Sequence, residues 1–192
     1  ALLWSLQFDP QVELPIPNDQ PMILVTMHRR EMLQTAITEL MLALELLLDD
    51  YPNLAVIWPQ HPSPKVNQII AKTKPENQPR LHLTAPMPYP QFIAAMKRAC
   101  LIITDSGGVQ EEAPSLGTPL LVVRQFTERQ EVIETGLGEL VGAEAAAIVK
   151  TAKPYLARPI KKRVISPNPA SPFGDGQATM RIIEQIKRLA TT

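Results

Sequence analysis

The segment with the clearest chemical potential is ITDSGGVQEEAPSLGTP, residues 103–119. An apolar run stops at Asp105, Ser106 and two glycines follow, and Glu111 and Glu112 stand side by side on the helix predicted behind them. The glycines allow positive φ and close backbone approach, and the first turn of a helix presents amides without intrahelical acceptors. A phosphate could bind there, helped by the Ser106 hydroxyl and the helix dipole. A strand-to-helix turn capped by Ser106 or Asp105 explains the same residues equally well.

The two adjacent glutamates, Glu111 and Glu112, are expected to do different things. Consecutive helix positions point about 100° apart, so the two carboxylates cannot face solvent to the same degree. One could accept hydrogen bonds from the vicinal hydroxyls of a ribose, while the other caps the helix or pairs with a cation. The alternative is a favourable interaction with the helix dipole, worth a few tenths of a kcal/mol.

Two basic segments also carry chemistry. In VTMHRRE, His28 could carry a proton or stabilise a charge, and Arg29 and Arg30 could meet a phosphate or a carboxylate. In RQFTERQE, Thr127 is placed to cap a helix, and Arg129 in its first turn opposes the helix dipole unless an anion lies nearby. The arginine is therefore a second, independent indication of a phosphate site.

The elements that must position these residues alternate along the chain. Short apolar runs predict strands buried on both faces of a parallel sheet, at 22–27, 54–59, 81–85, 100–105 and 119–124. Helical spacing predicts helices at about 31–50, 65–73, 90–99, 109–116, 128–135, 144–156 and 177–190. The alternation predicts an α/β fold with a doubly wound parallel sheet, in which ligands bind at the carboxyl ends of the strands. His61 and His82 are interpreted as structural residues, and the PFGDGQA segment as a loop and helix start with Asp175 or Gly176 near the cap.

Length and composition limit the possible functions. The 192 residues suit one domain, and 19 basic residues balance 19 acidic ones, so no net field draws the chain to nucleic acid or an anionic membrane. Residues 8–21 hold four prolines and predict an extended linker at a domain boundary.

The single Cys100 suits a reducing compartment, and no apolar run approaches the length of a membrane span, so we expect a soluble cytoplasmic protein. No residue cluster has the spacing of a structural zinc site. The chain begins without Met, which suggests that it is cut from a longer polypeptide.

Taken together, VTMHRRE, ITDSGGVQEEAPSLGTPLLVVR, TER and PFGDGQA closely resemble the C-terminal half of the non-hydrolysing UDP-N-acetylglucosamine 2-epimerases. The resemblance runs in order from about residue 22 to 190. It implies a Rossmann-like UDP-binding domain at 22–192, one lobe of a glycosyltransferase-B-type architecture, preceded at 1–21 by a linker or edge segment from a missing N-terminal lobe. Such enzymes are isomerases that interconvert UDP-GlcNAc and UDP-ManNAc by eliminating UDP and adding it back, with no metal or other cofactor. The resemblance also implies a homodimer for the intact protein.

The resemblance assigns roles residue by residue. It implies that His28 is the active-site histidine and that Glu112 binds the ribose hydroxyls. The other implied contacts with UDP are Phe92 near the uracil, Ser106, Gly107 and Gly108 at the diphosphate, and Arg129 of the TER motif. Arg29, Arg30 and Glu31 are implied as possible regulatory or phosphate contacts.

The sequence departs from the family at several positions. Relatives usually read RDTTERPE where this chain has RQFTERQE, and the other departures are Met32 and Met87. The resemblance also implies that the carboxylates for proton transfer at C2 belong to the first lobe, so the chain alone is expected to bind UDP weakly and to be inactive. Two alternatives stay open: the nucleotide-sugar lobe of a glycosyltransferase of the same architecture, and a non-catalytic remnant that binds a nucleotide sugar.

Overall fold

The apolar runs of the sequence form one sheet of six parallel strands. In this computed structural model the described residues are 2–5, 13–28, 33–75, 77–157 and 172–190. The strands are β1 (Met22–Thr26), β2 (Ala55–Pro59), β3 (Leu81–Thr84), β4 (Leu101–Thr104), β5 (Leu120–Val122) and β6 (Gly138–Leu140). Their order is β3-β2-β1-β4-β5-β6, which is that of a doubly wound Rossmann-like sheet. The predicted fold class is confirmed.

Eight helices and one short 3-10 turn complete the described residues. They are α1 (Leu2–Ser5), α2 (Leu33–Asp50), α3 (Pro64–Thr73), α4 (Tyr89–Arg98), α5 (Gly107–Glu112), the 3-10 turn Pro114–Leu116, α6 (Gln130–Glu134), α7 (Ala145–Leu156) and α8 (Ala178–Ala190). None of the helices in these residues is long and apolar enough to cross a membrane.

Helices cover both faces of the sheet because successive strand residues point to opposite sides. In β1, Ile23 and Val25 join a core with α2, α3 and α7, whereas Met22 and Leu24 join a core with α4, α5 and α6. The long helix α2 lies on the first face, and Arg80 donates hydrogen bonds to the carbonyls of Leu48, Tyr51 and Leu54 at its C-terminal end. These contacts join the start of β3 to the end of α2.

Some local predictions need correction. The strand β6 was not predicted, because Gly-Glu-Leu is too short and too polar to give an apolar run, and its last two residues are exposed. Gly107 and Gly108 do not take positive φ: they begin α5, and the positive φ of this segment falls at Gly117, where the 3-10 turn ends at φ 69°. The short α1 was also unexpected, because it lies in a segment interpreted as a linker.

The strand order reverses between β1 and β4, which pair in parallel from Ile23–Leu101 to Thr26–Thr104. At the carboxyl end of this pair the hydroxyls of Thr26 and Thr104 are 2.6 Å apart. In open α/β sheets, ligands bind in the crevice outside this reversal point. The loops that follow β1 and β4 are therefore the first place to look for a site.

Candidate functional site

Asp105 holds His28 at the carboxyl end of the β1–β4 pair. Asp105 is the first residue after β4 and is only 3% exposed. Its carboxylate accepts the backbone N–H of His28, with distances of 3.0 and 3.2 Å to the two oxygens, and its Oδ1 lies 3.4 Å from the imidazole Nδ1. A carboxylate beside Nδ1 favours a proton on that nitrogen and leaves Nε2 to exchange one with a ligand. Asp105 could have been suspected from its position, since an acid directly after a buried central strand needs a partner.

His61 stacks on His28, with ring centroids 5.0 Å apart and ring planes at 9°. His61 follows β2, which pairs with β1, so the two imidazoles meet at the same edge of the sheet. Its Nδ1 accepts the amide of Ser63 at 3.2 Å, which places the proton of a neutral His61 on Nε2. The position of His61 after β2 had already indicated this edge, and its interpretation as a structural residue stays a prediction.

Ser106 and the two glycines form the start of α5. Ser106 is the N-cap residue with extended backbone, but its hydroxyl makes no capping hydrogen bond, while its amide donates to Thr104 Oγ1 at 2.9 Å. The Asp105 carboxylate binds the His28 amide, so neither side chain offered by the capped-turn interpretation caps this helix as predicted. A Cβ added at Gly108 would meet nothing within 4 Å. The turn therefore leaves a hydroxyl, first-turn amides and open space together at the reversal point.

Arg129 lies against this turn from the neighbouring loop. A Cβ added at Gly107 would stand 2.9 Å from the guanidinium carbon of Arg129, so glycine is what allows this close approach. The Nε of Arg129 donates to Glu111 Oε1 at 2.8 Å, and its Nη1 is 3.4 Å from Glu128 Oε2. Arg129 was predicted in the first turn of a helix, but α6 begins at Gln130 and Arg129 is the N-cap residue with φ −108°. The anion beside it in this structure is a protein carboxylate, so opposition to the helix dipole is not evidence for phosphate.

The two glutamates have different partners, as their positions on the helix predicted. Glu111 pairs with Arg129, whereas Glu112 accepts the hydroxyl of Tyr89 at 2.6 Å. Burial, and then the hydrogen bond and charge of Glu112, raise the pKa of Tyr89 well above its ordinary value. Glu112 is the last residue of α5, so a favourable interaction with the dipole at the N-terminus of the helix does not explain a carboxylate at this position. Tyr89 begins α4, which also carries the half-buried Phe92.

The remaining predicted residues are distributed as follows. Arg29, Arg30 and Glu31 lie outside the described residues. Among the departures from the family pattern, Phe126 is 63% exposed beneath the guanidinium of Arg124, 5.5 Å from it, and Gln130 donates to the Thr127 carbonyl at 2.7 Å. The altered loop is thus held by its own contacts. Within the described residues no group of three or more potential ligands could hold a metal ion.

The comparisons with known proteins agree with the fold. A family model described as UDP-N-acetylglucosamine 2-epimerase matches residues 3–187. The UDP-N-acetylglucosamine 2-epimerase of Bacillus subtilis is 37% identical over 169 residues, which are 88% of this chain and 44% of that protein. The chain spans about half the length of the curated relatives it matches.

Two solved structures are also similar over nearly the whole chain. The UDP-GlcNAc 2-epimerase of Neisseria meningitidis bound to UDP-GlcNAc has a TM-score of 0.84 and 31% identity, over 97% of this chain and 52% of that one. The S. aureus MnaA–UDP complex has a TM-score of 0.81 and 31% identity, over 97% and 51%.

Proposed function

This chain belongs to the UDP-N-acetylglucosamine 2-epimerase family, and on that premise we propose that it is the UDP-binding half of an isomerase that interconverts UDP-GlcNAc and UDP-ManNAc. The premise accounts for the Rossmann-like sheet and for the location of the candidate residues at the strand-order reversal. The proposal adds what this particular chain binds and which residues do so.

The observation that carries the proposal is the open start of α5 at the reversal point. The Ser106 hydroxyl is not used as a helix cap, Gly107 and Gly108 lie in the first turn, and space is open beside Gly108. Amides and a hydroxyl in this arrangement suit the oxygens of a diphosphate, and the Arg129 guanidinium, which pairs with Glu111, lies against the same turn with further donors. Because α5 has only six residues, individual hydrogen bonds should contribute more than a helix dipole.

The nucleoside would lie toward α4 and the end of α5. Glu112 would accept hydrogen bonds from the ribose hydroxyls through the carboxylate that Tyr89 already contacts. Phe92 on α4 would provide an apolar surface for the uracil. The two solved relatives bind UDP-GlcNAc and UDP respectively, which supports a nucleotide sugar as the ligand class.

The proposed reaction eliminates UDP from the sugar and adds it back after inversion at C2. UDP must stay bound between the two steps, because release would turn the return step into a new bimolecular encounter. The diphosphate site is therefore part of the catalytic cycle as well as of binding. His28, oriented by Asp105, is placed to stabilise charge or exchange a proton at the edge of this site.

We assign proton transfer at C2 to a second lobe, which this chain does not include. The chain spans about half of its relatives' length. A second line of support is that α8 exposes apolar side chains, which a second lobe would cover. The start of α8 is ordered by Asp175, whose side chain accepts the amide of Gln177. No residue of this 13-residue helix is buried, and Ile182, Ile186 and Leu189 are at least 57% exposed. The chain alone should therefore form no UDP-ManNAc.

Three further assignments complete the proposal, two from family membership and one from the state of the cysteine. Arg29, Arg30 and Glu31 are proposed as regulatory or phosphate contacts, and the intact protein is proposed to be a homodimer. A cytoplasmic location is proposed because the one cysteine, Cys100, is buried and free, as is common for proteins of reducing compartments.

Calorimetry with UDP and UMP tests the proposed site. UDP should bind more tightly than UMP, and Ser106→Ala and Glu112→Ala should each weaken UDP binding about 3- to 10-fold, the value of one hydrogen bond or somewhat more. Ser63→Ala and Glu134→Ala are matched controls, since Ser63 makes no capping bond and Glu134 is an exposed residue of α6. Equal binding of UDP and UMP, or no effect of either site substitution, would exclude this site.

A further inference from the structure

We infer that Gln110 and Thr127 are positioning residues, which lock the Arg129 loop onto the Ser106 turn and so fix the spacing between two candidate diphosphate contacts. This inference rests on the proposed function, because the spacing matters only if both residues meet the same ligand.

Three hydrogen bonds connect the two contacts. Gln110 Nε2 donates to the Ser106 carbonyl at 3.1 Å, and Gln110 Oε1 accepts the Thr127 hydroxyl at 2.5 Å. The Thr127 oxygen in turn accepts the backbone N–H of Arg129 at 3.1 Å. The chain of bonds thus begins at Ser106, whose hydroxyl is not used as a helix cap, and ends at Arg129, whose guanidinium lies over Gly107.

Both side chains are removed from solvent. Gln110 is 0% exposed and Thr127 is 4% exposed, so their mutual bond is not weakened by competing water. Thr127 was predicted to cap a helix, but the N-cap position of α6 belongs to Arg129 and has no side-chain capping bond. The hydroxyl of Thr127 is directed instead to α5, on a different element of the fold.

The buried Gln110–Thr127 pair is expected to fix geometry more than to add stability. Replacing two hydrogen-bonded partners by apolar groups of the same shape is often nearly neutral, whereas the polar pair fixes one geometry. The guanidinium contact with Gly107 and the Glu111 ion pair hold the far end of Arg129. The loop is therefore fixed at its backbone by the Gln110–Thr127 pair and at its side chain by α5.

The test compares Thr127→Val, which keeps the shape and removes the hydroxyl, with Thr127→Ser, which keeps the hydroxyl. Thr127→Val should weaken UDP binding about 3- to 10-fold and leave UMP binding within about twofold, while Thr127→Ser should retain wild-type UDP binding. A purely structural role would lower UDP and UMP affinity together. Thr127→Val binding UDP as tightly as the wild type would overturn the inference.

Gln110→Leu gives a second, independent test, which also decides the matter if Thr127→Val does not fold. It should lower UDP affinity by a similar factor, and the double variant should be no weaker than the weaker single one, because both changes break one connected chain of bonds. Additive losses would contradict the inference. If the wild-type chain does not bind UDP at all, the proposed function fails. If the wild-type chain binds UDP and the variants bind it equally well, only the positioning role is removed.

Discussion

The guanidinium of Arg129 rests on the α-carbon of Gly107, so that a side-chain carbon added there would lie 2.9 Å from its central carbon. The neighbouring Gly108 has no atom within 4 Å of the same added carbon. Two adjacent glycines therefore face different surroundings, one a protein cation and the other open space. Substituting each glycine in turn therefore separates effects on the Arg129 loop from effects on a ligand.

Gly108→Ala is expected to stabilise the free chain and weaken UDP binding. Alanine favours the helical backbone over glycine by roughly 0.5–1 kcal/mol, and the added methyl group meets no protein atom within 4 Å. If the diphosphate lies beside Gly108, the same methyl group should reduce UDP affinity by about tenfold or more, which corresponds to about 1.4 kcal/mol. Thermal unfolding and calorimetry on one sample measure both. Unchanged UDP affinity would place the ligand elsewhere.

Gly107→Ala is the paired variant and should act through Arg129. The guanidinium must move to make room for the methyl group, which should disturb the Glu111 ion pair. We expect weaker UDP binding without the gain in stability that we expect for Gly108→Ala. Identical behaviour of the two alanine variants would show that the Arg129 contact has no separate role.

Asp105→Ala should destabilise the fold by about 1–3 kcal/mol, because it leaves the His28 amide without its carboxylate acceptor. His28→Ala is the control, since it keeps the backbone N–H and hence this hydrogen bond. It should destabilise the fold less than Asp105→Ala does. Denaturant unfolding measures both variants. A larger loss for His28→Ala than for Asp105→Ala would mean that the imidazole, not the amide, fixes this edge of the sheet.

The phenol of Tyr89 should ionise well above its ordinary pKa of 10.0, because burial and then Glu112 raise that pKa in the folded chain. The neutral phenol is the form favoured by folding, so its contribution to stability is full below pH 10 and decreases as the pH rises further. Titration of phenolate absorbance, with Tyr89→Phe to identify its signal, measures the shift. Glu112→Gln should lower the pKa of Tyr89, and no change would contradict the Tyr89–Glu112 contact.

The apolar face of α8 should bind a hydrophobic fluorescent dye in the isolated chain. Ile182, Ile183, Ile186 and Leu189 follow helical spacing and are exposed together, which makes a patch of the kind that marks an interaction surface. Ile186→Gln should lower dye fluorescence. Leu46→Gln on α2 is the matched control, since Leu46 is 44% exposed outside this patch. An equal decrease for both variants would contradict a docking face on α8.

The sequence predicted the sheet well because its central strands are continuous apolar runs, which few other structures can bury. β6 was missed because burial at its edge comes from neighbours, not from its own three residues. Ser106, Gly108, Glu112 and Arg129 were predicted as site residues from their local pattern and from motif resemblance. The partners of these residues were not, since contacts such as Asp105–His28, Tyr89–Glu112 and Gln110–Thr127 join positions 17 to 77 residues apart. Only the folded chain brings those pairs together.

The most direct test of the central claim is an amide NMR titration of the chain with UDP. Shifts should concentrate at the start of α5, from Ser106 to Gly108, and at Arg129, with smaller shifts for UMP, which has one phosphate fewer. The amides of Leu46 and of other α2 residues on the far face of the sheet should not move. Shifts confined to regions away from Ser106 and Arg129, or equal responses to UDP and UMP, would contradict a diphosphate site at this turn.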